Sequence, residues 1–104
     1  MAMTPAEKTA AVAKALSHPV RLQIVELLAA QSECRGSDLF AELPLAQSTV
    51  SEHLRILKEA GIVSSRPVAT SAAYCLHHEV LSAFAAHVSE LASVAPVCAS
   101  GRSC

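Results

Sequence analysis

Residues 47–61 constrain this chain more than any other stretch. Val50, Leu54 and Leu57 recur at i, i+4 and i+7, the spacing of a helix with one apolar stripe to pack on a core. Ser48, Ser51, Glu52 and Arg55 project the other way. Short, hydroxyl-bearing side chains near the amino end let such a helix sink into a major groove and hydrogen-bond bases or phosphates. Gly61 supplies a left-handed carboxyl cap. A short helix is expected over Asp38–Leu43, with Leu39, Phe40 and Leu43 as its brace, and Pro44 ends it. Two short helices joined by so tight a turn make a helix-turn-helix, whose second helix reads the groove while the first crosses the backbone.

Local signals place the remaining elements. Thr4, Pro5 and Glu7 form a capping box with proline at the first helical position, predicting a first helix from Pro5 to Leu16. Its many alanines make it thin. Pro19 restarts the chain as a second helix with Val20, Ile24, Leu27 and Leu28 as its buried stripe. The β-prone runs Ile62–Arg66 and Ala72–His77, separated by residues 67–71, predict a two-stranded wing. A last helix is expected from His78 to about Ala95, with Val80, Leu81, Phe84, Val88 and Leu91 apolar and Pro96 as its stop. The order is therefore four helices, two strands and a fifth helix. Residues 1–95 form one mostly α domain and 96–104 a small-residue tail expected to be mobile.

A chain of 104 residues holds one small core and is a natural candidate for dimerisation. Its apolar share of 52%, with only 3% aromatic, suits helices packed through small side chains. The formal net charge of −1 runs against a DNA binder, because phosphate neutralisation by Lys and Arg normally supplies most non-specific affinity. Distribution offsets this: Arg35, His53, Arg55, Lys58 and Arg66 lie in or beside the proposed reading head, and Glu79 and Glu90 lie towards the other end. No basic segment with an apolar run opens the chain, and no run approaches the roughly 18 to 20 apolar residues of a membrane span, so a cytoplasmic protein without membrane association is expected. In a reducing compartment the four cysteines are expected to be core fillers, soft-metal ligands or redox sensors rather than a disulfide framework. With no Gly-rich phosphate loop and no nucleophile–base pair at a pocket, an enzyme is not expected.

Residues 17–28, 47–54 and 57–63, in this order and spacing, resemble the ArsR/SmtB family of winged helix-turn-helix repressors across residues 10 to 90. The resemblance implies a homodimer joined through its first and last helices and an operator that is an imperfect palindrome of double-stranded DNA. Its groove-facing positions fall on Gln47, Ser48 and Ser51, with Thr49, His53, Arg55 and Lys58 as further candidate contacts on the helix and Arg66 and Thr70 as wing contacts. Arg55 and Lys58 suit phosphates, whereas His53, on the flank of the buried stripe, suits hydrogen-bonded packing. The wing departs from the family pattern, carrying Val68, Ala69, Thr70 and Ser71 where Gly and a cation usually stand.

Such repressors need no cofactor to bind DNA and release it when an ion or thiol-reactive species binds. Of the family's known sites, the Cys-x-Cys before an Asp-Leu pair is absent, since Arg35 and Ser37 occupy those positions. The zinc pattern of the last helix keeps one ligand in four, His78. What remains is Cys98 and Cys104, which resemble the C-terminal cysteine pairs with which atypical members bind trivalent arsenicals. Soft sulfur ligands favour trivalent arsenic or antimony, and Arg102 nearby raises the thiolate fraction. A third thiol is sought in Cys75, Cys34 or the partner subunit, although Cys34 and Cys75 also fit as small semi-buried hydrophobes. The expected function is a repressor released by inorganic or methylated arsenite or antimonite. Its alternatives are a thiol-redox-responsive repressor of the same fold and a metal(loid)-buffering or interaction protein without operator binding.

Overall fold

Thr4 caps the first helix by accepting the Glu7 amide on its hydroxyl at 3.1 Å, and Pro5 occupies the first helical position, so α1 (Pro5–Leu16) starts where its residues dictate. A computed structural model describes residues 2–31, 34–69 and 71–93. In α2 (Pro19–Ala29) the cap is His18, whose Nδ1 accepts the Val20 amide at 3.1 Å. Strand β1 (Arg35–Gly36) leads into one turn of 3-10 helix, Ser37–Phe40, and a run of turns carries the chain to α3 (Gln47–Glu59). Strands β2 (Val63–Val68) and β3 (Ser71–Leu76) then form the wing, and α4 (His78–Ala92) closes the order.

Gly61, at φ 78°, ends α3 in a Schellman motif: its amide donates to the Lys58 carbonyl at 3.0 Å, and the Ile62 amide reaches back to Leu57 at 3.0 Å. Leu57 and Ile62 are both fully buried, so the motif turns the chain and joins the core at once. Around them Val12, Ala15, Ile24, Val25, Leu28, Phe40, Val50, Leu54 and Val63 complete a single core under α1, α2, α3 and the sheet. The helical stripes of α2 and α3 predicted from periodicity are the ones that face it.

The structure differs from the sequence expectation at three places. The third helix expected over Asp38–Leu43 is a single 3-10 turn, because only seven residues lie between Asp38 and Ala46 and Pro44 leaves no room for a second regular turn. The wing is longer than residues 62–66 and 72–77 suggested: Pro67 pairs with Ala72 and Val68 with Ser71. Proline is tolerated there because β2 is an edge strand in the order β1-β3-β2 and owes its amide to no outer neighbour. Ala69, at φ 55°, takes the left-handed conformation that glycine would adopt more cheaply.

The third difference is the sheet itself, which has three strands rather than two. Arg35 pairs with Tyr74 and Gly36 with Ala73, antiparallel. Cys34 and Cys75 are the next opposed pair on this ladder, with Cα atoms 4.4 Å apart, and their sulfurs are bonded. The expectation that each is a separate small hydrophobe or soft ligand is thus corrected: Cys75, the candidate third thiol, is tied to Cys34. Residues 41 positions apart meet because an unforeseen strand brings them opposite each other.

Candidate nucleic-acid interface

At about 100° per residue, burying Val50, Leu54 and Leu57 leaves Ser48, Glu52, Arg55 and Glu59 as the outermost ridge of α3. Gln47, Ser51 and Lys58 lie along one flank of that ridge, and all seven residues are exposed. Thr49, also exposed, shares the opposite flank with half-buried His53. No side chain caps the amino end of α3, since Ala46 stands at the cap position. The first amides and the positive end of the helix dipole are therefore free for an acceptor such as a phosphate.

Arg55 is not the free cation that its position suggested. Its Nε donates to Glu52 Oε2 at 3.0 Å and its Nη2 to Glu52 Oε1 at 2.5 Å, while Nη1 donates to Glu59 Oε1 at 2.5 Å. The guanidinium hydrogen bond holds the Glu52 carboxyl below its ordinary range, and the same two partners push Arg55 further above its own. The i,i+3 and i,i+4 spacings that allow this clamp were legible in the sequence. Lys58 on α3 and Arg66 on β2 are exposed cations of the reading head; Thr70 lies outside the described residues. Glu52→Gln removes a carboxylate from the exposed ridge of α3 and loosens Arg55. Fluorescence anisotropy with a generic duplex over a salt series is expected to show binding about three- to ten-fold tighter at low salt, with a slope steeper by about one ion. An unchanged slope would show that loosening Arg55 adds no phosphate contact.

His53 is turned towards α2 instead of the groove. Arg21 Nη1 donates to His53 Nδ1 at 3.2 Å, which places the imidazole proton on Nε2, and Arg21 Nε donates to the Ala15 carbonyl at 2.6 Å. The His18 ring lies against His53 with centroids 4.5 Å apart. Burial, then the neighbouring His18 and Arg21 charges, hold the His53 pKa below its usual value, so this ring is neutral at pH 7 and its contribution to stability fades as pH falls below the ordinary histidine range. This cluster fixes the tilt of α3 on α2, a role that its distance in sequence concealed.

At the other end of the molecule, α4 has no fully buried residue. Val80, Leu81 and Phe84 lean on the core, and the Thr9 hydroxyl is hydrogen-bonded to His87 Nδ1, joining α1 to α4. Beyond them Val88 is 43% exposed and Leu91 65%. Ala6, Ala10 and Ala13 form an exposed small-residue stripe on α1. Among the described residues no group of three or more His, Cys, Asp or Glu is placed to hold a metal ion, and no helix is long and apolar enough to cross a membrane. Cys98 and Cys104 lie outside the described residues.

Residues 18–65 match the family described as bacterial regulatory protein, arsR family. An uncharacterised HTH-type transcriptional regulator of Methanocaldococcus jannaschii is 44% identical over 64 residues, 62% of this chain and 72% of that one. The arsenical resistance operon repressor of Staphylococcus xylosus is 34% identical over 70 residues, 67% of this chain and 66% of that one. Among solved structures, an ArsR-like transcriptional regulator from Rhodococcus sp. RHA1 superposes with a TM-score of 0.69 at 26% identity, covering 83% of this chain and 80% of its own. With its helices and hairpin in the same arrangement, the chain belongs to the arsR family of bacterial regulatory proteins and is a transcriptional regulator with a winged helix-turn-helix fold, not an enzyme.

Proposed function

We propose that this regulator is a homodimeric repressor whose two α3 helices enter successive major grooves of an imperfectly palindromic operator. The observation that carries the reading is the division of exposed surface. A hydrogen-bonding ridge with an uncapped helix end lies on α3, a bare apolar stripe lies on α4, and an exposed alanine stripe lies on α1, the helix packed against α4. A second copy would cover the apolar stripe and set the two ridges at a fixed separation. Operator binding would place the protein with the chromosome, in the cytoplasm.

The inducer proposed is a trivalent arsenical or antimonial held by the Cys98 and Cys104 thiolates, with DNA binding itself needing no cofactor. A relative that is named an arsenical resistance operon repressor supports the class. With Cys75 tied to Cys34, a third sulfur would have to come from the partner subunit. Two sulfurs alone suit a monomethylated arsenical, whose third valence is carbon.

The test begins with a duplex enriched from a random library by the full chain and labelled for fluorescence anisotropy. Adding arsenite, trivalent methylarsenite or antimonite is expected to weaken wild-type binding by about 5- to 150-fold. Cys98→Ser/Cys104→Ser is expected to stay bound. Release of that variant to the same extent would remove the tail thiols as the sensor, and failure to enrich any duplex would remove the repressor.

A further inference from the structure

The geometry points to Cys34–Cys75 as a reversible thiol–disulfide site that sets the freedom of the wing relative to α3, and through it the affinity for DNA. All nine residues expected to contact DNA, from Gln47 to Thr70, lie inside the loop this bond closes. The bond joins β1, which leads through the 3-10 turn into α3, to β3, the central strand of the wing. Beside it the β1–β3 ladder consists of two residue pairs, Arg35 with Tyr74 and Gly36 with Ala73. So short a ladder is weak on its own, and the sulfur link is its principal fastening. Both cysteines are only partly buried, within reach of small oxidants and reductants.

The inference rests on the DNA-binding reading above, because a protein at the chromosome occupies a reducing compartment, where disulfides are transient and regulatory. Reduction needs a dithiol. One of its thiolates attacks the Cys34–Cys75 bond to give a mixed disulfide, its second thiol displaces the protein sulfur, and two electrons and two protons pass to the cysteines as the dithiol closes its own disulfide. The return needs a hydroperoxide. A cysteine thiolate attacks the peroxide oxygen, leaving a sulfenic acid and an alcohol or water, and the second thiol then attacks that sulfur and expels water. In the bonded state the wing is held ready beside α3. In the dithiol state the cost of ordering it falls on the binding step, which weakens the complex.

The test uses the full chain carrying Cys98→Ser/Cys104→Ser, so that only this pair titrates. Alkylation and mass spectrometry after equilibration in buffers of reduced and oxidised dithiothreitol are expected to show Cys34 and Cys75 opening together while the protein stays folded. Hydrogen exchange of amides in residues 62–69 and 71–76 is expected to quicken on reduction. Affinity for the library-selected duplex is expected to fall about three- to ten-fold. Cys34→Ser/Cys75→Ser should match the reduced state and ignore peroxide. The proposal is overturned if the pair opens only on unfolding, if wing exchange is equal in both states, or if the bonded form binds DNA no more tightly. Should no duplex be enriched, the DNA-binding reading fails, and the exchange measurement alone decides whether the bond governs the wing.

Discussion

A Val88→Glu/Leu91→Glu chain is expected to be monomeric and to bind the selected duplex at least about a hundredfold more weakly than wild type. The two side chains are 43% and 65% exposed on a helix whose other large apolar residues, Val80, Leu81 and Phe84, lean on the core. Each leucine-sized group covered by a second copy gains about 1.5 to 3 kcal/mol, and a carboxylate in its place carries a desolvation cost into the same interface. Once the proposed dimer is lost, each α3 would bind half a site alone and forfeit the effective concentration that its twin would provide. Light scattering after size exclusion reports the mass, and anisotropy the affinity. A variant that remains dimeric would show that α4 does not form the interface. The side chains are exposed in the monomer, so the fold itself should survive.

Leu57→Ala carries the second large effect. Leu57 is fully buried and touches the core exactly where the Schellman turn delivers Ile62, so its truncation leaves a cavity between two elements with no neighbour free to fill it. The expected cost is about 2 to 5 kcal/mol, a large fraction of the 5 to 15 kcal/mol that holds a domain of this size together. The melting temperature should fall by roughly 10 to 20 °C, and the denaturation midpoint should drop with little change in slope. None of the exposed residues of the α3 ridge is altered. At low temperature the folded fraction should therefore retain wild-type affinity for DNA, which separates a core defect from an interface defect. A melting point within about 3 °C of wild type would contradict the placement of α3 on the core.

The sequence was most legible where structure is local. Thr4 with Glu7, Pro5, Pro19 and Gly61 act within one helical turn, and the stripes of α2 and α3 depend only on helical period. The exposed ridge of α3 was readable for the same reason. Its charge balance was half readable: Arg55 was visible as a cation, but its neutralisation by Glu52 and Glu59 went unnoticed despite ordinary helical spacing. The flank position of His53 points to a packing role, yet nothing nearby in the chain names Arg21 and His18 as its partners, 32 and 35 positions away.

By itself the sequence determined the four α-helices, the caps at Thr4 and Gly61, the exposed side of α3 and the presence of a hairpin, because each follows from backbone preferences and periodicity over a few residues. Only the tertiary structure decided that residues 35–36 form a third strand, that Cys34 meets Cys75, and that Arg21 steadies α3. A strand of two residues carries no period to detect, and a pairing between distant segments is fixed by the packing of the whole core around them.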